Sequence, residues 1–291
     1  MKYKIQFVLS MIIFGTIGLI VRYIDLSSSE TALLSSSIGF LFLALVFINQ
    51  RKKFSWQKIK SNALILFITG IALGGNWIFL YQAYEYTTLT NATLGYYFAP
   101  VFVMLLSPII LKEKLLLKKG VCIVVAVIGM VFIVGNGISA SDKNDLIGIL
   151  LGLVAAAFYA TLMLLNKFIK EIDRLEVTII QLAITALILL PYVLITEGIN
   201  ILSVSTSSIP FIILLGIVNT GIGFWLFFSG MEKINGQSIA TLSYVDPFVA
   251  ILISGLILQE KFTVLQILGG ILLLGATFIS EMKFRRISIN V

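Results

Sequence analysis

The sequence predicts an all-α integral membrane protein: ten transmembrane helices in two inverted five-helix repeats, with the N- and C-termini cytoplasmic. Three observations support this fold class. The chain is 59% hydrophobic and only 12% charged, whereas about a quarter of the residues in soluble domains are charged. Apolar windows long enough to cross a bilayer recur along the chain, and one long stretch is written twice. Its mean hydropathy of +1.05 agrees with a lipid environment.

Ten apolar windows can be placed on the chain, each near the roughly 20 residues that cross a bilayer. The first window lacks a small-residue cleavage site before Arg22, so we interpret it as a retained span rather than a signal peptide. Short polar connections separate the windows and hold most of the charges. The predicted spans are residues 4–22, 31–49, 61–81, 89–111, 119–136, 146–166, 176–195, 209–230, 237–258 and 264–281.

The distribution of positive charge predicts the orientation of these spans. When the connections are assigned alternately to the two sides, all lysines and arginines except Arg22, Lys143 and Lys261 fall on the side of the N-terminus. Cytoplasmic loops of membrane proteins carry an excess of Lys and Arg. Both termini are therefore expected in the cytoplasm, and the net charge of +7 is explained by orientation rather than by a nucleic-acid partner.

The duplicated stretch divides the chain into two repeats. Shifted by 147 positions without a gap, Gln82–Lys114 falls on Ser229–Lys261. The matched pairs include Glu85 with Glu232, Tyr97 with Tyr244, Pro100 with Pro247, and Glu113 with Glu260. We place the repeats at residues 1–140 and 141–291. Because five spans is an odd number, the second copy enters the membrane from the opposite face, as in the inverted repeats of secondary transporters.

The two prolines of the repeat predict helix kinks. Pro100 and Pro247 lie inside apolar windows, where each removes a backbone donor and crowds the carbonyl four residues earlier. A carbonyl freed in this way needs a partner, so each kink should face protein or a water-filled cavity rather than lipid. Asp246 precedes the second proline and is the one acid placed well inside a span. Acids at such depth are costly and usually functional, although a purely structural hydrogen bond is the alternative.

Polar and aromatic interruptions of the apolar helices supply the candidate substrate-binding residues. Aromatic rings with a polar tip suit a pocket for amphipathic molecules, but they also mark membrane interfaces. The candidates are Asn76, Trp77, Tyr97, Tyr159, Asn219, Trp225, Tyr244 and Asp246. Glu113 and Glu260 each end a span beside a lysine, and we interpret them as anchors that could act as matched latches on opposite gates.

Several classes of function are disfavoured by residue types that the chain lacks. The sequence has no histidine and a single cysteine, Cys122, so no catalytic cluster or thiolate metal site can be assembled from them. We therefore expect no enzymatic activity, no catalytic residues, no bound metal and no cofactor, and regard a lipid-acting membrane enzyme as unlikely. A phosphate-binding loop for ATP is also missing, and neither charge rings nor filter repeats indicate a channel.

The motifs of the two copies carry a family resemblance. The first reads A-Y-E-Y-T-T-L-T-N-A-T-L-G-Y-Y-F-A-P over Ala83–Pro100, followed by L-K-E-K; the second contains Y-V-D-P and L-Q-E-K. The chain resembles the EamA-type branch of the drug/metabolite transporter (DMT) superfamily. The resemblance implies a transporter of small metabolites, often an exporter of amino acids or related compounds, with a cavity lined mainly by spans 1, 3, 4, 6, 8 and 9. Phe14 and Ala99 depart from the family pattern.

The leading hypothesis is therefore a secondary transporter of a small organic metabolite, in the cell membrane, working by alternating access. The expected partners are the small-molecule substrate, the lipid bilayer and, as candidate coupling ions, protons; no nucleic acid is expected, and monomer and homodimer remain open. The alternative within this class is a proton-coupled multidrug exporter of lipophilic cations. One buried acid facing an aromatic cage would favour the cation, but the sequence does not determine whether Asp246 and the aromatic residues face each other.

Overall fold

A computed structural model of the protein describes residues 1–87, 89–134, 143–196, 198, 204–257, 259 and 263–282. Every regular element within these ranges is helical. The α-helices are α1 (Lys2–Gly15), α2 (Ile17–Val21), α3 (Ser28–Asn49), α4 (Trp56–Ser61), α5 (Ala63–Tyr86), α6 (Leu89–Tyr96), α7 (Ala99–Ile110), α8 (Leu117–Val134), α9 (Lys143–Leu165), α10 (Arg174–Thr196), α11 (Ile209–Leu214), α12 (Gly223–Met231), α13 (Gly236–Leu242), α14 (Val245–Leu256) and α15 (Val264–Glu281).

Many of these helices have the length and apolar character of membrane spans. Seven helical runs within the described ranges qualify: Lys2–Val21, Ser28–Asn49, Ala63–Tyr86, Asn144–Phe168, Arg174–Thr196, Ile209–Met231 and Gly236–Ile253. Ala99–Ile110 and Ile267–Ser280 are shorter apolar helices. The protein is a helical, multi-pass membrane protein. Ten crossings, cytoplasmic termini and the division near residue 140, which lies outside the described ranges, stay predictions.

The distribution of side chains between surface and interior fits a lipid environment. Large apolar side chains project outward, as Leu45 (66% exposed), Ile109 (73%) and Phe278 (70%) do. Amide side chains are buried at the same time, with Gln181 at 0% exposure. A soluble monomer rarely exposes extended apolar surface, whereas hydrocarbon solvates it and disfavours exposed polar groups. The bundle therefore has the polarity expected of a chain surrounded by lipid.

Helix interruptions subdivide four of the predicted spans. Windows 89–111 and 237–258, expected to be kinked helices, each consist of two short helices separated by two residues. The first span is interrupted at Thr16, whose hydroxyl donates to the carbonyl of Ile13 at 2.7 Å. In span 209–230, a π-helical segment over Leu215–Ile222 joins α11 to α12. A π segment accommodates an extra residue per turn and so rotates the following helix relative to a continuous α-helix.

The two halves of the chain pack through reciprocal contacts. Helix α5 of the first half packs against α9 of the second, and α12 of the second half packs against α1 of the first. In the same way α7 contacts α9, and α14 contacts α1. Two further pairs, α3 with α10 and α8 with α15, join corresponding helices directly. The core is therefore formed between the halves rather than within each of them.

Close approaches at glycine repeat this reciprocity in detail. A β-carbon on Gly70 of α5 would lie 2.7 Å from the β-carbon of Ile184 in α10. A β-carbon on Gly216 would lie 2.6 Å from the β-carbon of Ile38 in α3. Gly216 follows Gly70 by 146 residues, and Ile38 precedes Ile184 by 146 residues. The second contact is therefore the counterpart of the first in the other copy of the repeat. Small residues at these positions let the helices approach closely, as is typical of membrane helix pairs.

Candidate functional site

The two interrupted helices that contain the prolines meet near the middle of the molecule. Helix α6 ends at Tyr96 and α7 begins at Ala99, so Pro100 lies in the first turn of a new helix. Pro247 lies in the first turn of α14, following the break after α13. A missing N–H costs little there, since the first N–H groups of a helix have no intrahelical acceptor. The hydroxyl of Tyr244 donates to the carbonyl of Tyr97 at 3.4 Å and so links the two breaks.

A cavity of about 250 Å³ adjoins these breaks. Residues of both halves line it: Met11, Tyr96, Tyr97, Ala99 and Pro100 from the first, and Tyr159, Ser243 and Asp246 from the second. The sequence analysis selected Tyr97, Tyr159 and Asp246 from this set. Their shared position means that the acid and the aromatic residues do face one space. The walls of this space lie close together in this conformation, so a solute would enter it only after they move apart.

Among the described residues that line the cavity, Asp246 alone has a formally charged side chain. It lies in the first turn of α14, where the positive end of the helix dipole stabilises a carboxylate. No hydrogen bond or ion pair to this carboxylate is found among the described residues. The Ser243 carbonyl, which lacks the N–H that Pro247 would otherwise supply, accepts instead from the Asp246 N–H at 3.3 Å. The Asp246 carboxylate therefore faces the cavity without a partner among the described residues.

A ladder of aromatic rings forms one side of the cavity and joins four parts of the chain. Tyr159 stacks on Tyr96 with ring centroids 5.6 Å apart and on Phe227 at 5.8 Å. Phe227 in turn stacks on Phe7 at 5.4 Å. Tyr97 stands at the other end of the ladder, tilted against Tyr96 at 5.8 Å. The ladder holds the tyrosines in place, which preorganises the cavity wall.

Asn76 and Asn219 join helices rather than line the cavity. The amide of Asn76 in α5 donates to the Ala155 carbonyl of α9 at 2.8 Å. The amide of Asn219, in the π segment, donates to the Ile13 carbonyl at 2.7 Å and to the Thr16 hydroxyl at 2.9 Å. Both are 1% exposed and neither lies on the cavity wall. In the structure each amide links the two halves, and the contact of these residues with substrate stays a prediction.

Three other candidates occupy different surroundings. Trp77 packs edge-on against Phe224, with centroids 5.9 Å apart, and does not line the cavity. Tyr244 is 1% exposed and lines a second, smaller space of about 170 Å³ that it shares with Tyr97. Trp225 is 37% exposed and lines neither space, and its contact with substrate stays a prediction.

Glu113 connects the loop after α7 to the start of α13. Its carboxylate accepts the Gly236 N–H at 2.8 Å, and the side-chain amide of Gln237 donates to the Lys114 carbonyl at 2.8 Å. Sequence reasoning expected an anchor beside the neighbouring lysine; the acid instead caps a helix of the other half. Its predicted counterpart, Glu260, lies outside the described residues, so the matched pair of latches stays a prediction.

A further pair of polar contacts joins loops of the two halves. The Ser208 hydroxyl and the Ser205 N–H donate to the Asp25 carboxylate. These hydrogen bonds hold the pKa of Asp25 below its usual range. Asp173, which lies 148 residues further along, pairs with Lys52, whose Nζ is 2.6 Å from the carboxylate. Each contact links the loop before a long helix to a connection of the opposite half.

Sequence reasoning left out part of the cavity wall. Met11 is apolar and lies in an apolar helix, so nothing in its neighbourhood distinguished it. Tyr96 and Ser243 occupy equivalent positions of the two copies of the repeat, and on sequence grounds both are polar interruptions that could line a cavity. Ala99 lines the cavity where the first repeat has no counterpart of Asp246.

Comparisons with known proteins agree with this architecture. A solved crystal structure superposes with a TM-score of 0.84 at 18% identity, covering 98% of each chain, which supports the fold alone. The uncharacterized transporter YxxF of Bacillus subtilis (strain 168) is 31% identical over 274 residues, which is 91% of this chain and 85% of the relative. The uncharacterized inner membrane transporter YicL of Salmonella typhimurium is 26% identical, covering 98% and 97%. The EamA-like transporter family model matches residues 1–135 and 146–282. The chain therefore belongs to the EamA-like transporter family.

Proposed function

We propose that the protein is a secondary transporter that moves a small organic solute across the cell membrane by alternating access. The observation that supports this most is the cavity at the two helix breaks, because residues of both halves build its wall around Asp246. Inverted repeats with interrupted helices at a central site are the architecture of many secondary transporters. Two similar halves can exchange conformations and so expose one site to each side in turn.

The proposed membrane arrangement has ten spans with both termini in the cytoplasm. Each interrupted pair counts as one crossing, so that α6 with α7, and α13 with α14, each traverse the bilayer once. Helices α8 and α15 are the fifth and tenth spans. The charge distribution supports this orientation, since the lysines and arginines concentrate on one side. It places Glu113 at the cytoplasmic face and Asp25 at the external face.

Uphill transport by this chain would be coupled to an ion gradient or to exchange. The sequence carries no phosphate-binding loop for ATP, and Asp246 is the candidate for protonation. The family resemblance favours export of an amino acid or a related compound. The reciprocal contacts between halves support a mechanism in which the same joints rearrange on either side of the cavity.

Solute counterflow in proteoliposomes tests this function. Purified protein is first screened by thermal shift against amino acids, amines, nucleosides and sugars, because ligands that bind the folded state raise its melting temperature. A labelled hit is then added outside vesicles that contain excess unlabelled hit. A carrier gives transient, saturable accumulation of label that requires the unlabelled solute inside. Protein-dependent flux without this trans effect would indicate a channel and overturn the proposal.

The same vesicles test the coupling role of Asp246. We expect a pH gradient to drive solute movement with the wild-type protein and not with Asp246→Asn. If the gradient drives both proteins equally, then Asp246 does not couple transport to protons.

A further inference from the structure

The charge of the cavity wall identifies a class of substrate. Of the described residues that line it, Met11, Ala99 and Pro100 are apolar, and the tyrosines and Ser243 are neutral hydrogen-bonding groups. Asp246 alone brings a formal charge, and no lysine or arginine lies on the wall. A carboxylate in such surroundings is costly unless a cation approaches it. The wall is therefore electrostatically complementary to a positive ligand.

The start of α14 does not reverse this preference. A helix N-terminus attracts anions through its exposed N–H groups and dipole. Asp246 lies in that first turn and already supplies the negative charge. An anionic ligand, or the carboxylate of a zwitterionic amino acid, would meet a like charge in a space of about 250 Å³. Like charges this close in a desolvated site repel strongly.

The tyrosines provide a second, independent feature for binding a cation. Tyr96 and Tyr97 lie on the same wall as Asp246, and Tyr97 ends the aromatic ladder rather than being stacked between two rings. Ammonium groups bind over the faces of such rings, and methylated ones bind well. An acid beside aromatic faces is a suitable site for an organic ammonium head.

We propose that the transported solute is a small organic cation, an amine or a quaternary ammonium compound, whose charged head pairs with Asp246 and whose apolar part lies against Tyr96 and Tyr97. This inference rests on the proposed function only in calling the ligand a transported solute. The site itself is built from both halves and can be tested by binding alone. Amines are chemically related to amino acids, but they lack the carboxylate for which this wall offers no cationic partner.

Matched ligands separate the charge requirement from apolar binding. Phenethylamine, its N,N,N-trimethyl derivative, phenylalanine and 2-phenylethanol share one ring and differ in charge. Affinities are measured by calorimetry with purified full-length protein at one pH and salt concentration. We expect the two cations to bind and raise the melting temperature, and phenylalanine and the neutral alcohol to bind at least tenfold more weakly. Equal affinity for phenylalanine and phenethylamine would overturn the proposal.

Variants of the wall test the two binding features. Asp246→Asn should weaken phenethylamine binding at least tenfold, whereas Asp25→Asn, at an acid outside the cavity, should leave it unchanged. Tyr97→Phe keeps the ring face and should retain affinity; Tyr97→Leu removes the face and should weaken binding about 2- to 30-fold. If Asp246→Asn fails to fold, the matched ligands and the variants Tyr97→Phe and Tyr97→Leu still test whether the site binds a cation. Unchanged phenethylamine affinity in a folded Asp246→Asn protein would contradict the assignment.

The outcomes distinguish this inference from the proposed function. Counterflow of a sugar or an amino acid, without binding of any amine, would support the transport function and rule out a cationic substrate. Amine binding that depends on Asp246, without counterflow of any solute, would support the cation-binding site and rule out the transport function.

Discussion

At the scale of single residues, the buried amides of Asn76 and Asn219 join the two halves in the same way. Each donates to a backbone carbonyl of a helix in the opposite half, at 2.8 and 2.7 Å. Each also keeps a buried side-chain oxygen without a partner among the described groups. An unpaired buried oxygen is costly, so these oxygens are the groups that would gain most if the contacts between halves rearranged.

Asn219→Ala tests the structural role of this amide. The substitution removes the hydrogen bonds to Ile13 and Thr16, and the loss of each should lower the free energy of unfolding by about 0.6–2 kcal/mol. Ligand affinity should not change, because Asn219 does not line the cavity. SDS-induced unfolding gives the stability and calorimetry the affinity, with Asn76→Ala as the reciprocal variant and the exposed Asn49→Ala as a control. A tenfold loss of affinity with unchanged stability would instead indicate that Asn219 contacts substrate.

The sequence predicts a site residue where a polar or charged side chain lies inside a span, because such a side chain is energetically costly there and usually has a function. Asp246 is such a residue, and the structure places it on the cavity wall with Tyr97 and Tyr159. The asparagines are costly in lipid for the same reason, yet a backbone carbonyl accepts a hydrogen bond from the side-chain N–H of each. Sequence does not tell a ligand partner from a carbonyl partner, because that depends on which neighbouring helix lies opposite.

At the scale of helices, the two breaks determine which side chains of the repeat reach the cavity. The prolines indicated where the helices of the two repeats would be disturbed, but not that each helix would end and restart. The π segment around Asn219 carries no comparable signal apart from Gly216 and Gly221. Trp225 follows this segment and is 37% exposed, and its contact with substrate stays a prediction.

Gly15 tests the contact between α1 and α14 beside the cavity. A β-carbon at this position would lie 2.7 Å from Val249 Cβ and 2.8 Å from the Asp246 carbonyl. Gly15→Ala should therefore cost about 1–3 kcal/mol of stability through overpacking, and weaken ligand binding by displacing Asp246. Gly18 has no neighbour within 4 Å of a β-carbon. Gly18→Ala should be neutral, or stabilising by up to about 1 kcal/mol.

Thermal unfolding and ligand titration of the two glycine variants measure these effects. Equal stability and affinity for Gly15→Ala and Gly18→Ala would mean that α1 and α14 do not pack as closely as described.

At the scale of the whole molecule, the repeat accounts for most of what the sequence made predictable. A shift of 147 residues relates Tyr97 to Tyr244, and in the structure these residues meet. A shift of 146 residues likewise relates the contact of Gly70 with Ile184 to the contact of Gly216 with Ile38. A duplication detected by residue identity therefore indicates which helices will correspond. How the halves interleave follows from packing, which has no local sequence signal.

The reciprocal joints also explain why the cavity lies between the halves. Helices α7 and α14 each pack against the first long helix of the opposite half, α9 and α1 respectively. Residues from all four of these helices line the cavity. A change in the angle between the halves would open one end of this space and close the other. Alternating access requires such a motion, with one site reached from each side in turn.

Labelling of a single cysteine on the cavity wall tests whether the cavity is reached from each side of the membrane in turn. Ser243 lines the cavity, and Cys122, the only native cysteine, is buried elsewhere. Ser243→Cys in a Cys122→Ser background is exposed to a membrane-impermeant thiol reagent, first on one side of oriented vesicles and then on the other. We expect slow modification from each side and protection by bound ligand in both cases. Modification from one side only, unaffected by ligand, would contradict alternating access.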